Sequence, residues 1–140
     1  MTDGLSVNAG LSTRVAARFD DAADRTREAL AQNGFGVLTE IDVRAKVRLQ
    51  LGVEMEDYLI LGACDPAVAY RAISVDREIG LLLPCSVLVR ADPGDPGTVI
   101  VEAMDPGLLV EVTGEPALIS IVAEITESLR AAIASLTESD

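Results

Sequence analysis

The chain has 140 residues, a length typical of one folded domain with its own hydrophobic core. Hydrophobic residues make up 49% of it, which argues against a disordered chain, and the formal net charge of −12 argues against nucleic acid as a partner. Histidine and tryptophan are absent, which excludes histidine triads and makes zinc sites and base-stacking surfaces unexpected.

Targeting signals, cysteine content and charge distribution predict the cellular location of the protein and the character of its surface. No apolar run approaches the roughly 20 residues that cross a bilayer, and no export signal is visible, so we expect a cytoplasmic protein with no membrane partner. Two cysteines are too few for a disulfide framework and fit a reducing compartment. Residues 91–140 hold ten acidic residues against the single Arg130, which predicts a solvated, acidic surface.

The beginning of the chain predicts a strand followed by a helix. Residues 1–9 are expected to form a loose tail, and residues 10–137 a single domain. A first strand is predicted over Ser12–Phe19 from its imperfect alternation. Asp20 or Asp21 is then the expected N-cap of the first helix.

A glycine turn is predicted to end this helix. Gly34 supplies the left-handed residue of a Schellman motif, in which Phe35 folds back on Leu30. The second strand is predicted over Phe35–Ile41.

A short helix, Val43–Leu51, is predicted next, capped by Asp42 and ended by Gly52. One face of it is apolar and is made of Val43, Val47 and Leu51. Another part carries the one basic cluster of the chain, which is either solvated or docks an anionic ligand: Arg44, Lys46 and Arg48.

The central segment predicts two strands around a helix. The third strand, Glu56–Cys64, lacks alternation over Tyr58–Leu61, which predicts burial on both faces. Asp65 is the expected N-cap of the following helix, and Pro66 suits its first turn. The predicted buried stripe of that helix consists of Val68, Ala72 and Val75, and Gly80 ends the helical segment. A fourth strand is predicted within 81–90, paired only after Pro84.

The last part of the chain predicts a hairpin and a long helix. Turn residues at 91–97 join the fourth strand to a fifth, Thr98–Met104. The longest helix is predicted over Pro116–Leu136, and its apolar stripe is unusually broad. The stripe consists of Leu118, Val122, Ile125, Leu129, Ala132 and Leu136, widened by Ile119, Ile121 and Ile133. Such a helix is either wrapped by the sheet or shared with a second subunit.

This order of elements favours an α+β fold with an antiparallel sheet over a doubly wound parallel sheet. The central strand–helix–strand segment could instead form one parallel pair of strands, joined by a right-handed crossover.

Two segments carry a family resemblance, LGVEMEDYLILGACDPAVAYRAI and IGLLLPCSVLV. With them the chain resembles domain-of-unknown-function family 302, a family of small prokaryotic proteins, over roughly residues 10–136. The resemblance implies a TATA-box-binding-protein-like fold (β-α-β4-α), with a curved antiparallel sheet packed on a long C-terminal helix and short inserted helices. It also implies a tendency to homodimerise and no agreed activity. Asp65 and Ser86 stand where the family usually has Asn, so any ligand contact of those amides in relatives would change here.

The two cysteines are the candidate reactive groups. Cys64 precedes a helix N-terminus, which favours a thiolate, although the carboxylate of Asp65 opposes it. Cys85 follows Pro84 at a strand entrance, where a side chain can face a cleft. Both cysteines also suit the alternative role of small buried hydrophobes. The spacing is not CxxC, and no metal or cofactor is expected.

Two functions follow, and we favour the first. One is a non-catalytic binding or homodimeric interaction module for a small ligand or a partner, with ligand-binding candidates Lys46, Arg48, Asp65 and Ser86. The alternative is a thiol-dependent enzyme or sulfur/redox carrier that uses Cys85 with Cys64.

Overall fold

The computed structural model describes residues 10–138, so the predicted tail over 1–9 lies outside the described residues. Five strands form one sheet in which every pair of neighbours is antiparallel. They are β1 (Ser12–Ala16), β2 (Gly36–Asp42), β3 (Tyr58–Cys64), β4 (Cys85–Ala91) and β5 (Thr98–Ala103). Their order across the sheet is β1-β5-β4-β3-β2.

Five α-helices and two short 3₁₀ segments connect or follow these strands. The helices are α1 (Phe19–Gln32), α2 (Val43–Leu51), α3 (Pro66–Val75), α4 (Leu108–Thr113) and α5 (Ile119–Glu138). The 3₁₀ segments are Arg77–Leu82 and Pro116–Leu118. The α+β prediction with an antiparallel sheet and a long C-terminal helix is therefore confirmed, whereas the TATA-box-binding-protein-like label stays a prediction.

The central segment does not form a parallel pair. β3 and β4 are antiparallel neighbours, with Leu61 opposite Val87 and Ala63 opposite Cys85. Because α3 and the 3₁₀ segment after it lie between them in the chain, they form an excursion at one end of the sheet rather than a crossover. The chain continues into β4 after Pro84, as predicted.

One face of the sheet forms the core. Its side chains are almost fully buried, and α1 and α5 pack on this face and on each other. We call it the first face; it includes Val15, Leu59, Leu61, Val87, Val89, Val99 and Val101. Burial of one such side chain stabilises the fold by about 1.5–3 kcal/mol, so this layer is the main source of stability.

The second face of the sheet is mixed in chemistry and less buried. Ile60 and Leu88 lie opposite each other on it and are half-buried. Arg90 donates to Glu102 at 3.0 Å on the same face. The prediction that Tyr58–Leu61 is buried on both faces is therefore wrong for Tyr58 and Ile60, because no second layer of core lies over them.

Both ends of α1 follow from local chemistry, with one correction. The N-cap is Arg18, which makes no side-chain cap hydrogen bond, and Asp20 and Asp21 lie in the first turn instead. Their charges still suit the positive end of the helix dipole. The first strand accordingly ends at Ala16, because Phe19 already begins the helix.

The Schellman motif at the other end of α1 is confirmed. Gly34 has a φ of +91°. The amide of Phe35 donates to the carbonyl of Leu30 at 2.9 Å, and the amide of Gly34 donates to the carbonyl of Ala31 at 3.3 Å. These two bonds satisfy carbonyls that the helix end would otherwise leave unpaired.

Helix α5 buries most of its predicted stripe between α1 and the sheet. Leu118, Ile125, Leu129, Ala132 and Leu136 are buried, and so are Ile121 and Ile133. Val122 is only partly buried. The α-helix begins three residues later than predicted, because Pro116–Leu118 form a 3₁₀ turn.

Two apolar side chains predicted to be buried are exposed. Val75 is 37% exposed, and Ile119 is 58% exposed. Both lie at an end of their helix. The apolar pattern of the helix continues to these positions, but the elements that pack on the rest of the helix do not extend that far. In α3 only Ala72 is fully buried.

Gly62 lies between Thr39 of β2 and Pro84, which precedes β4. A Cβ placed on Gly62 would lie 2.8 Å from Pro84 Cγ and closer still to Thr39 Oγ1. Both obstacles are short or rigid, so neither can move aside at little cost. The glycine therefore lets β2 and the entrance of β4 approach β3.

We expect Gly62→Ala to lower the free energy of unfolding by about 1–3 kcal/mol, the usual cost of overpacking. Gly80→Ala is the matched control, because its Cβ would meet nothing within 4 Å. Urea denaturation of both variants measures the difference. Equal stability of the two variants would show that the close approach at Gly62 is not a constraint.

Candidate functional site

The two cysteines lie next to each other at one end of the sheet. Cys64 is the last residue of β3, and Cys85 is the first residue of β4, where it pairs with Ala63. Both line one apolar pocket with Phe35, Val68, Ala72, Leu83, Leu109 and Ile125. The volume of this pocket is only about 20 Å³. It therefore has room for about one water molecule and not for a substrate.

Burial makes both thiols weak acids. Cys85 is 3% exposed, and its burial, with a smaller contribution from Cys64, raises the pKa of the Cys85 thiol to about 11. Burial, followed by the carboxylate of Asp65, also raises the pKa of the half-buried Cys64 thiol. Both cysteines are consequently neutral thiols near pH 7, which is the less reactive form.

Asp65 also uses the amides that a thiolate would need. Its Oδ1 accepts hydrogen bonds from the amides of Ala67 at 3.1 Å and Val68 at 3.4 Å, which confirms its N-cap role. A Cys64 thiolate would have to compete with this carboxylate for the N-terminus of α3. The position of Cys64 before a helix therefore does not by itself activate it.

The basic cluster on α2 is partly neutralised by acidic residues that precede β3. Arg44 donates to Asp57 at 2.9 Å, and this hydrogen bond raises the pKa of Arg44. Arg48 lies 3.9 Å from Glu54, a looser contact. Lys46 is exposed and forms no ion pair with any residue of the described range 10–138. Lys46 is thus the most available cation of the cluster.

The four predicted ligand-binding residues do not form one site. Lys46 and Arg48 lie on α2, at the end of the sheet where β2 ends and β3 begins. Asp65 lies at the opposite end, beside the cysteines. Ser86 is also at that end; it is exposed and lies opposite Gly62. These four residues therefore lie at two separate locations and do not line one ligand pocket.

The larger clefts are open and lie away from the cysteines. One of about 270 Å³ is lined by Arg44 and Arg48 together with Asp42 and Asp57. Another of about 560 Å³ is lined by four carboxylates together with Arg27, and Arg27 is already paired with Glu40 at 2.7 Å. The four acidic residues are Asp20, Asp24, Glu40 and Asp42. Their combined charge disfavours an anionic ligand in this cleft.

Sequence reasoning missed the most exposed apolar cluster. We define the α2 arm as residues 43–53. Leu49 is 79% exposed, Leu51 is 70% exposed and Val53 is 50% exposed. On the predicted apolar face of α2, Val43 and Val47 are half-buried, whereas Leu51 is exposed. Three large apolar residues within five positions around Gly52 were the available signal.

Residues 10–138 contain no group of three or more Cys, Asp or Glu side chains arranged to hold a metal ion. None of the helices in that range has the length and apolar character of a membrane span.

The fold and these surfaces define a small α+β domain with closed, protonated cysteines and an exposed apolar arm. The chain belongs to the family described as Domain of unknown function DUF302, whose model matches residues 11–136. A similar solved structure is the crystal structure of the uncharacterized conserved protein DUF302 from Bacillus stearothermophilus. It is 30% identical with a TM-score of 0.78, over 87% of this chain and 93% of that one. No curated protein matches the chain.

The thiols can be tested directly. At pH 8 in the native state, we expect a small thiol reagent to modify Cys64 slowly and Cys85 only after unfolding, because Cys85 is buried with a pKa of about 11. Mass spectrometry of the labelled peptides measures both sites, with the protein in urea as the full-labelling control. Rapid labelling of native Cys85 would contradict the closed pocket.

The charge of Asp65 is predicted to suppress the reactivity of Cys64. Asp65→Asn should lower the pKa of the Cys64 thiol, so its labelling at pH 8 becomes faster because more thiolate is present. Asn also caps helices, so stability should change little, whereas Asp65→Ala should lower it by about 1 kcal/mol. Unchanged labelling in Asp65→Asn would show that burial alone controls Cys64.

Proposed function

We propose that this protein is a non-catalytic interaction module that pairs with a second copy of itself through the α2 arm. The observation that carries the proposal is the exposure of Leu49, Leu51 and Val53 on one short helix and the turn after it. A cytoplasmic location, with both cysteines reduced, is part of the same proposal.

The exposed side chains would gain most from a partner. Removing a leucine side chain from water contributes about 1.5–3 kcal/mol, and clustered exposed apolar residues commonly mark interaction sites. Within its own chain, α2 contacts β3 and buries none of its residues fully. The arm is therefore held in place by the fold while its apolar tip remains free to bind.

The charge of the arm also favours association. A net charge of −12 makes two copies repel each other, and any contact between them must overcome this repulsion. The arm contains three basic residues and no acidic residue. Because Arg44 and Arg48 lie next to Asp57 and Glu54, Lys46 is the cation of the arm that can attract an acidic copy of the chain.

The alternative, a thiol-dependent enzyme or redox carrier, has one supporting observation. Cys64 and Cys85, the only two cysteines of the chain, line the same pocket. The raised pKa of both thiols and the absence of space for a substrate beside them oppose it. We therefore assign both cysteines to packing and the α2 arm to binding.

We expect the wild-type chain to be a dimer in sedimentation equilibrium and native mass spectrometry. Leu49→Ser and Leu51→Ser should each raise the dissociation constant about tenfold or more, because burying a leucine side chain contributes about 1.5–3 kcal/mol and about 1.4 kcal/mol corresponds to a tenfold change. Leu38→Ser is the matched control, since Leu38 is 62% exposed but lies in β2 outside the arm. A monomeric wild-type chain, or dimers equally weakened by Leu38→Ser, would contradict the assignment to the arm.

A further inference from the structure

We propose that the α2 arm of one copy docks on the junction between α4 and α5 of the second copy, residues 108–119. The inference rests on the proposed pairing and names the surface that receives the arm. It is drawn from exposure, charge and position within the sheet.

The junction exposes apolar side chains of its own. Val112 on α4 is 64% exposed, and Ile119 at the start of α5 is 58% exposed. The residues between them end α4 at Gly114 and form the 3₁₀ turn that leads into α5. The backbone of the junction is anchored because Leu109 and Leu118 are fully buried. Like the arm, the junction therefore presents apolar groups on a firmly held segment.

The two surfaces have opposite charge. The junction contains two acidic residues, Glu111 and Glu115, and no basic residue. The arm contains three basic residues and no acidic one, and of these Arg44 and Arg48 already lie next to Asp57 and Glu54. Glu111 is exposed and, like Lys46, forms no ion pair with another residue of the described range. Apolar contact between the two surfaces would therefore bring an unpaired anion close to an unpaired cation.

A two-fold axis would make the contact reciprocal. The arm lies at the end of the sheet where β2 ends and β5 begins, and the junction follows the other end of β5. Two copies related by a two-fold axis perpendicular to the strands place opposite ends next to each other. Each copy then offers its arm and receives the arm of its partner, which gives a closed dimer and not a filament.

Charge reversal tests this pairing. We expect Lys46→Glu and Glu111→Lys each to raise the dimer dissociation constant about tenfold at low salt, measured by sedimentation equilibrium. The double variant, Lys46→Glu with Glu111→Lys, should restore an affinity close to that of the wild type. Glu127→Lys is the control, because Glu127 is an exposed acidic residue of α5 outside the junction. Circular dichroism checks that each variant is folded.

The possible outcomes separate this inference from the proposed function. Weakening by each single change and recovery in the double variant support the docking of the arm on the junction. A dimer that depends on Leu49 and Leu51 but is insensitive to both charge reversals overturns the junction and leaves the arm as the binding surface. Weakening without recovery in the double variant also overturns this pairing. A monomeric wild-type chain overturns both proposals.

Discussion

The burial of one apolar face of the sheet under α1 and α5 is the constraint on which the rest of the structure depends. Leu61, Val89 and Val101 on that face are fully buried, and Leu30 and Leu129 close it from the helix side. Since α1 and α5 cover only the first face of the sheet, the second face also carries polar and charged side chains that water can solvate. Ion pairs such as Arg90 with Glu102 give it that character. Apolar residues outside this layer are covered unevenly: Ile100 is buried, Ile60 and Leu88 are half-buried, and Leu49 and Leu51 are exposed.

The cysteines illustrate how the same packing determines chemistry. Cys85 begins β4 and is buried, and this burial raises the pKa of its thiol to about 11, so the thiol is protonated near pH 7. Cys64 directly precedes Asp65, whose carboxylate already accepts a hydrogen bond from an amide at the start of α3. Burial and this carboxylate raise the pKa of the Cys64 thiol. A motif in which a cysteine precedes a helix can activate a thiolate, but only where those amides are free and the thiol is accessible. At Cys64 the amides are occupied by Asp65, and the thiol is half-buried.

Ion pairs within the chain determine which charged side chains remain available to other molecules. Most basic residues are engaged locally, as Arg71 is with Glu124 at 2.6 Å and Arg14 with Asp92 at 2.6 Å. These exposed pairs contribute little to stability individually. Within the described residues, the exposed cations that form no ion pair are Lys46 in the α2 arm, Arg18 and Arg77.

The sequence by itself determined the local features of this protein. Asp42 with Gly52 bounded α2, Asp65 with Pro66 began α3, and Gly34 closed α1, because capping depends on residues a few positions apart. The order of strands and helices and the two cysteines as neighbours of α3 were also predictable. Only the tertiary structure decided which apolar residues are covered. Leu51, Val75 and Ile119 continue helical patterns but are exposed, since burial depends on elements distant in the chain. The separation of Lys46 from Asp65 and the closure of the cysteine pocket had the same cause: both depend on how the sheet places distant segments.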